Sequence, residues 1–158
     1  MLEKFKKLPL RKGVGIVLLN ENNEVFVAKR IDNPNNYWQM PQGGIDENES
    51  PEEAMKRELS EEVGINKNFE IVMTHRKWLS YYLPLSIKNK VWDGKFIGQT
   101  QKWFACKFHG KDSDFKLDTH TPEFSDWKWV NPSEILELVV PFKRQLYKGV
   151  LNGFRKLY

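Results

Sequence analysis

The chain reads Gly43-Gly44-Ile45-Asp46-Glu47-Asn48-Glu49 and, seven residues later, Arg57-Glu58-Leu59-Ser60-Glu61-Glu62-Val63-Gly64-Ile65. The stretch in between opens a helix. Ser50 is suited to cap it, Pro51 fits the first helical position, and Glu53 can close a capping box with Ser50. Acids crowd the first turn, where the helix dipole favours them. Ala54, Met55, Leu59 and Val63 form an apolar stripe, and Gly64 is the expected stop. Glu58, Glu61 and Glu62, spaced i, i+3, i+4, share one helix face. On a solvated face such neighbours cost only about 0.2–0.5 kcal/mol per pair. Drawn together to ~4 Å in a cleft, each pair repels by about 4 kcal/mol at an effective dielectric near ~20. A divalent cation relieves that repulsion. Oxygen donors without thiols or imidazoles select hard ions, Mg²⁺ or Mn²⁺. Arg57 can reach Glu61 one turn on and orient the carboxylates. Gly43 and Gly44 let backbone approach an ion or a phosphate. Three glutamates alone would sooner suit a solvent-facing acidic helix.

Working outward, Gly13–Leu19 is apolar and β-branched, Asn20–Asn23 is a turn cluster, and Glu24–Lys29 alternates. This reads as a hairpin. Residues 31–37 form a polar loop, Trp38–Met40 a short strand, and Pro41-Gln42-Gly43-Gly44 a sharp punctuation. Phe69–Tyr82 reads as one or two strands, Gln101–Phe108 and Trp127–Val130 as one each. Asn131-Pro132-Ser133 opens a short helix. Phe142–Tyr158 reads as a final helix with Phe142, Leu146, Val150 and Phe154 on one face. This mixture predicts an α/β sandwich. No repeat or linker interrupts the 158 residues, so residues 1–158 are expected to form a single domain with one sizeable core.

The charge is uneven. The net value is +4, yet Asp46–Glu62 carries eight acids against Lys56 and Arg57. The rest of the chain is strongly basic. Lys4, Lys6, Lys7, Arg11 and Lys12 cluster near one end, Lys143, Arg144, Lys148, Arg155 and Lys156 near the other. An acidic patch within a basic protein suits a cation site that handles a polyanion. Cys106 is alone and sits in an apolar stretch, so neither an internal disulfide nor a thiol nucleophile is expected. His75, His109 and His120 lack zinc-ligand spacing. No secretory signal and no membrane-length apolar run is present, which together with the lone cysteine predicts a cytoplasmic protein without membrane contact.

The string from Gly43 to Ile65 matches the Nudix box, Gly-x5-Glu-x7-Arg-Glu-apolar-x-Glu-Glu-x-Gly-apolar, at every one of its nine constrained positions. The chain therefore resembles the Nudix hydrolases, which cleave a nucleoside diphosphate linked to another group. Further stretches resemble one subgroup, the bacterial RNA pyrophosphohydrolases, also described as dinucleoside polyphosphate hydrolases. They are residues 11–17, 38–44, 97–104, 121–124, 127–130 and 142–144.

The resemblance implies a Nudix-type α/β/α sandwich with a mixed β-sheet. It implies Glu58 and Glu62 as metal ligands with Glu61, joined by the backbone at Gln42 and Gly43. Arg57 is then a supporting catalytic residue, with Glu49, Gly43 and Gly64 structural in the motif. Glu123, within Thr121-Pro122-Glu123-Phe124, is a distant carboxylate candidate for the metal cluster or the attacking water. Two or more Mg²⁺ ions, with Mn²⁺ as substitute, are implied, and Glu61 and Glu123 remain alternative general bases. Arg11, Lys29, Arg30 and Lys143 are candidates for the phosphate chain. Phe142, then Tyr81 and Trp78, are candidates to stack a base. The expected reaction is hydrolysis of a phosphoanhydride in a nucleotide polyphosphate. The expected substrates are the 5′-triphosphate end of RNA, releasing pyrophosphate, and diadenosine tetraphosphate. Alternatives are clean-up of nucleoside triphosphates and a non-catalytic nucleotide or RNA sensor. DNA is not an expected partner, and nothing demands more than a monomer.

Overall fold

A computed structural model describes residues 8–32 and 35–158. Lys4, Lys6 and Lys7 of the basic N-terminus lie outside the described residues. Eight strands connect into one sheet: β1 (Leu10–Leu19), β2 (Val25–Arg30), β3 (Trp38–Gln39), β4 (Gln42–Gly44), β5 (Phe69–Thr74), β6 (Leu79–Tyr82), β7 (Gly98–Phe108) and β8 (Phe124–Val130). The helices are α1 (Pro51–Val63), α2 (Ile135–Leu138) and α3 (Arg144–Gly153). The sheet is mixed. β1 runs parallel to β7 from Leu10↔Gly98 to Leu19↔Lys107, and the remaining pairings are antiparallel.

The β1–β7 pair is the floor of the molecule, and both its faces are buried, as the long apolar runs require. Val14, Ile16 and Leu18 of β1 and Phe104 and Cys106 of β7 face α1, against Ala54, Met55, Leu59 and Val63. Val17 and Leu19, with Trp103 and Ala105, face the other way, against Ile135, Leu146, Tyr147, Val150 and Phe154. Helices therefore cover both faces, and the architecture is the expected α/β/α sandwich. Each large apolar side chain so buried contributes about 1.5–3 kcal/mol.

α1 is capped as its sequence predicts. The Ser50 hydroxyl accepts from the Glu53 N–H at 3.1 Å, and the Glu53 carboxylate accepts from the Ser50 N–H at 3.1 Å. Gly64 ends the helix in the left-handed region, φ +75°, which favours glycine.

Three local expectations change. The Gly13–Leu19/Glu24–Lys29 hairpin is a ladder only at its tip, where Leu19 faces Val25. Beyond it β1 pairs with β4 and β7 and β2 with β3 and β8, because each strand finds a longer partner elsewhere. Gln42–Gly44 is a short strand on β1 rather than a bare turn. The final helix is shorter than Phe142–Tyr158: Pro141–Lys143 and Arg155–Leu157 are 3₁₀ turns flanking α3. Pro141 starts the first turn, and the chain leaves the α-helix at Gly153, a poor helix former. Phe69–Tyr82 resolves into two strands that pair with successive halves of β7.

Candidate active site

The box is held by one side chain. Arg57 donates to Glu49 through Nε (2.8 Å) and Nη2 (2.9 Å), to Glu58 (2.9 Å) and Glu61 (3.2 Å) through Nη1, and to the Gly44 carbonyl (2.8 Å). The Glu49 carboxylate also accepts from the Asp46 N–H at 2.9 Å. Arg57 and that N–H hold the Glu49 carboxyl down at about 2. The guanidinium fork thus ties the glycine loop to the helix and presents Glu58 at a fixed angle.

Glu58 and Glu62 meet one turn apart, both buried. Burial pushes the Glu58 carboxyl up, with Arg57 opposing. Burial pushes Glu62 well above the usual carboxylate range, reinforced by the charges of Glu58 and Glu123. The Oε2 of Glu62 is buried without a hydrogen-bond partner. A Cβ on Gly43 would collide with the Glu58 carboxylate, so only glycine lets the loop backbone come this close. An unpartnered acceptor beside a second carboxylate is the electrostatic signature of a cation site, and an all-oxygen donor set fits a hard divalent ion. Among the described residues no three acidic, imidazole or thiol groups converge into a closed ligand set. The site is an open pair with neighbours. The Glu61 side chain is 60% exposed and turned to Arg57. Glu123 stands across the cleft, 3.9 Å from Arg30.

Glu58 and Glu62 line a cleft of about 790 Å³, together with Glu123, Gln42, Gly43, Gly44, Arg11, Arg30, Tyr81, Phe142 and Lys143. Most of the expected site residues are therefore brought together from segments that lie more than a hundred residues apart. Arg30 lies in the cleft but is engaged by Asp32 at 2.9 Å. Lys143 is buried, and its burial, with Arg30 nearby, pushes the ammonium down to about 8. Its Nζ sits 4.9 Å from the Tyr81 ring centroid, and Phe142 tilts against Tyr81 at 6.0 Å. Burial pushes the Tyr81 hydroxyl up to about 12. Lys29 does not line the cleft; the strand register shifts between it and Arg30, which does. Trp78 is exposed and also lies outside the cleft wall. His109 bridges Glu21 (3.0 Å) and Glu70 (3.1 Å) outside the cleft wall.

Sequence reasoning missed Trp38 and Trp92 in the cleft wall, and Gln99 and Gln101 in the layer that supports Gln42. Gln99, Gln101 and Trp103 alternate along β7 and turn to one face. The Gln101 amide donates to Gln42 Oε1 (2.8 Å) and Gln99 Oε1 (2.7 Å), and the Trp103 indole donates to Gln101 Oε1 (3.0 Å). The Gln99 Nε2 is buried and has no partner. A Gln-x-Gln-x-Trp alternation along one face of the strand was the available signal.

A model of the NUDIX domain family matches residues 9–150. The chain belongs to the Nudix family. Among its Nudix relatives, the RNA pyrophosphohydrolase of Pelagibacter ubique is 52% identical over 150 residues, covering 95% of this chain and 94% of that protein. That of Orientia tsutsugamushi (strain Boryong) is 46% identical over 153 residues, covering 97% and 94%. The fold is shared with a C. elegans Ap4A hydrolase binary complex, at TM-score 0.67, 21% identity and 93% and 99% coverage. It is also shared with the E. coli dihydroneopterin triphosphate pyrophosphohydrolase, at TM-score 0.64, 19% identity and 90% and 96% coverage.

Proposed function

We propose that this Nudix hydrolase cleaves a phosphoanhydride at the 5′-triphosphate end of RNA, leaving a monophosphate and releasing pyrophosphate. Dinucleoside polyphosphates are a second substrate of the same cleft. The observation that carries the reading is a buried acid pair with an unpartnered oxygen, lining one cleft with the cations Arg11 and Lys143. The near full-length similarity to RNA pyrophosphohydrolases supports it.

Divalent cations, Mg²⁺ with Mn²⁺ as substitute, when bound neutralise the phosphate chain and lower the pKa of the attacking water. Glu58 and Glu62 would hold them, with Glu61, Glu123 and the backbone at Gln42 and Gly43 completing the set for two or more ions. Arg57 fixes the angle of Glu58 and keeps the box closed. Lys143 and Arg11 receive the anionic oxygens, aimed before the substrate arrives. Glu123 is the better placed general base: it lines the cleft and its charge reaches Glu62, whereas Glu61 is committed to Arg57. Phe142, on Tyr81, offers a face to a base.

We read the chain as a single domain acting as a cytoplasmic monomer with no DNA partner. Its two core clusters share β1, β2 and β7, and no described helix is long and apolar enough to cross a membrane. The test is incubation with 5′-triphosphorylated RNA and with diadenosine tetraphosphate, with Mg²⁺ and without. Pyrophosphate release and 5′-monophosphate ends on the RNA are expected only with the cation. Binding without turnover of any nucleotide polyphosphate would replace the hydrolase by a sensor.

A further inference from the structure

The segment between β6 and β7, residues 83–97, forms one rim of the cleft and contributes Trp92 to its wall. Its backbone is unusual. Trp92, Asp93 and Gly94 follow one another in the left-handed region, with φ of +50°, +56° and +70°. A bulky residue rarely adopts such a φ, and it persists only where the surroundings over-determine it. Here the Gly94 N–H donates to the Val91 carbonyl (3.0 Å), the Lys95 N–H donates to the Trp92 carbonyl (3.1 Å), and Phe96 meets the indole edge-on at 6.0 Å.

The turn seats the indole on Arg11. The guanidinium carbon lies 5.2 Å from the Trp92 ring centroid. On another side the guanidinium rests on the Gly44 backbone, where an added Cβ would collide with it. Among the described residues Arg11 has no carboxylate partner and no side-chain hydrogen bond, so these two surfaces are what hold it. Arg11 lies opposite Gln99 in the β1–β7 register, beside the unpartnered Gln99 amide.

We propose that Trp92 is a positioning residue for the phosphate-chain cation: its indole clamps the Arg11 guanidinium over Gly44 and aims it into the cleft. The idea rests on the polyphosphate reading of that cleft. A free arginine would sample many rotamers and lose that freedom on binding. A clamped one presents its donor fork at once, while keeping every N–H available for phosphate. A carboxylate could orient Arg11 as well, but would occupy the donors the substrate needs. A ring face orients without occupying them.

The test is a double-mutant cycle on triphosphorylated RNA with Mg²⁺, with inorganic tripolyphosphate as a competitive probe and unfolding midpoints as the folding control. Trp92→Ala is expected to raise KM and the tripolyphosphate Ki by about tenfold with kcat within about twofold, and Trp92→Phe to recover most of the loss. Added to Arg11→Ala, Trp92→Ala should cost nothing more. Losses that add, or a Trp92→Ala variant of native KM, would overturn the positioning role. An Arg11→Ala variant of native KM and Ki would instead overturn the phosphate role of Arg11 itself, leaving Trp92 nothing to position.

Discussion

The two walls of the cleft are built on opposite plans. The box wall is tied together by one side chain, with Glu62 Oε2 left unpartnered at its cleft edge: Arg57 alone contacts Glu49, Glu58, Glu61 and the Gly44 carbonyl, all within 23 residues. The facing wall is assembled from remote segments, and its cations Arg11 on β1 and Lys143 before α3 have no ion pair among the described residues, whereas Arg30 beside them is held by Asp32. One wall is tied down by its own charges. The other keeps its charges for a ligand. The difference separates stability from binding, since a paired charge supports the fold and an unpaired buried one opposes it.

The largest expected effect is on Glu62. Glu62→Gln removes the charge without changing the shape, and kcat should fall by about 10³, or ~4 kcal/mol of transition-state stabilisation. The unfolding free energy should stay the same or rise, because an unfavourably buried carboxylate is gone. Steady-state turnover and denaturant unfolding read the two effects, and a variant with native turnover would remove Glu62 from the cation site.

Next is Arg57→Ala, which strips partners from Glu49 and buried Glu58 together. A loss of about 2–3 kcal/mol in unfolding free energy is expected, accompanied by loss of activity. Arg57→Lys should recover little of either, since a single ammonium cannot span the fork. If urea unfolding of both variants matches the native protein, the box wall is not the tied-down one.

Lys143→Met tests the opposite wall. KM for triphosphorylated RNA should rise about tenfold, ~1.4 kcal/mol, while denaturant unfolding shows no loss of stability, because a buried charge without an ion pair is removed and the box contacts are untouched. A destabilised Lys143→Met protein would mean that this wall also holds the fold together.

The smallest effect concerns pH. The Glu49 carboxyl is held at about 2 in the folded protein, against its usual 4.5. Its contribution is therefore complete above pH ~4.5 and is lost as pH falls towards ~2. Glu49→Gln should lower the unfolding midpoint modestly at pH 7 and flatten the acid limb between those values. Parallel acid limbs for native and variant proteins would show that the Arg57–Glu49 pair contributes nothing.

Much of this was legible in the residues. The capping box, the glycine stop and the i, i+3, i+4 acids are local, so one segment specifies them. That Gly13–Leu19 is a strand was legible from its apolar, β-branched run; that both its faces are buried was decided by the helices on either side. The splayed hairpin was not legible, because local alternation says that Gly13–Leu19 and Glu24–Lys29 are strands but not which strands they pair with. The short α3 was hidden because the apolar stripe continues through turns that also bury their side chains. Gln99 and Trp92 escaped because a glutamine in a strand and a tryptophan in a polar loop have ordinary uses.

By itself the sequence determined the acid pair, its arginine tie and the glycines that let backbone and carboxylate touch, since spacing along one helix and one loop decides all of them. Only the tertiary structure decided which cations and rings face that pair, which of four acids are buried and which are turned to solvent. Those choices depend on the β1–β7 register and on two helices packing from opposite sides, contacts between residues that the chain order keeps far apart.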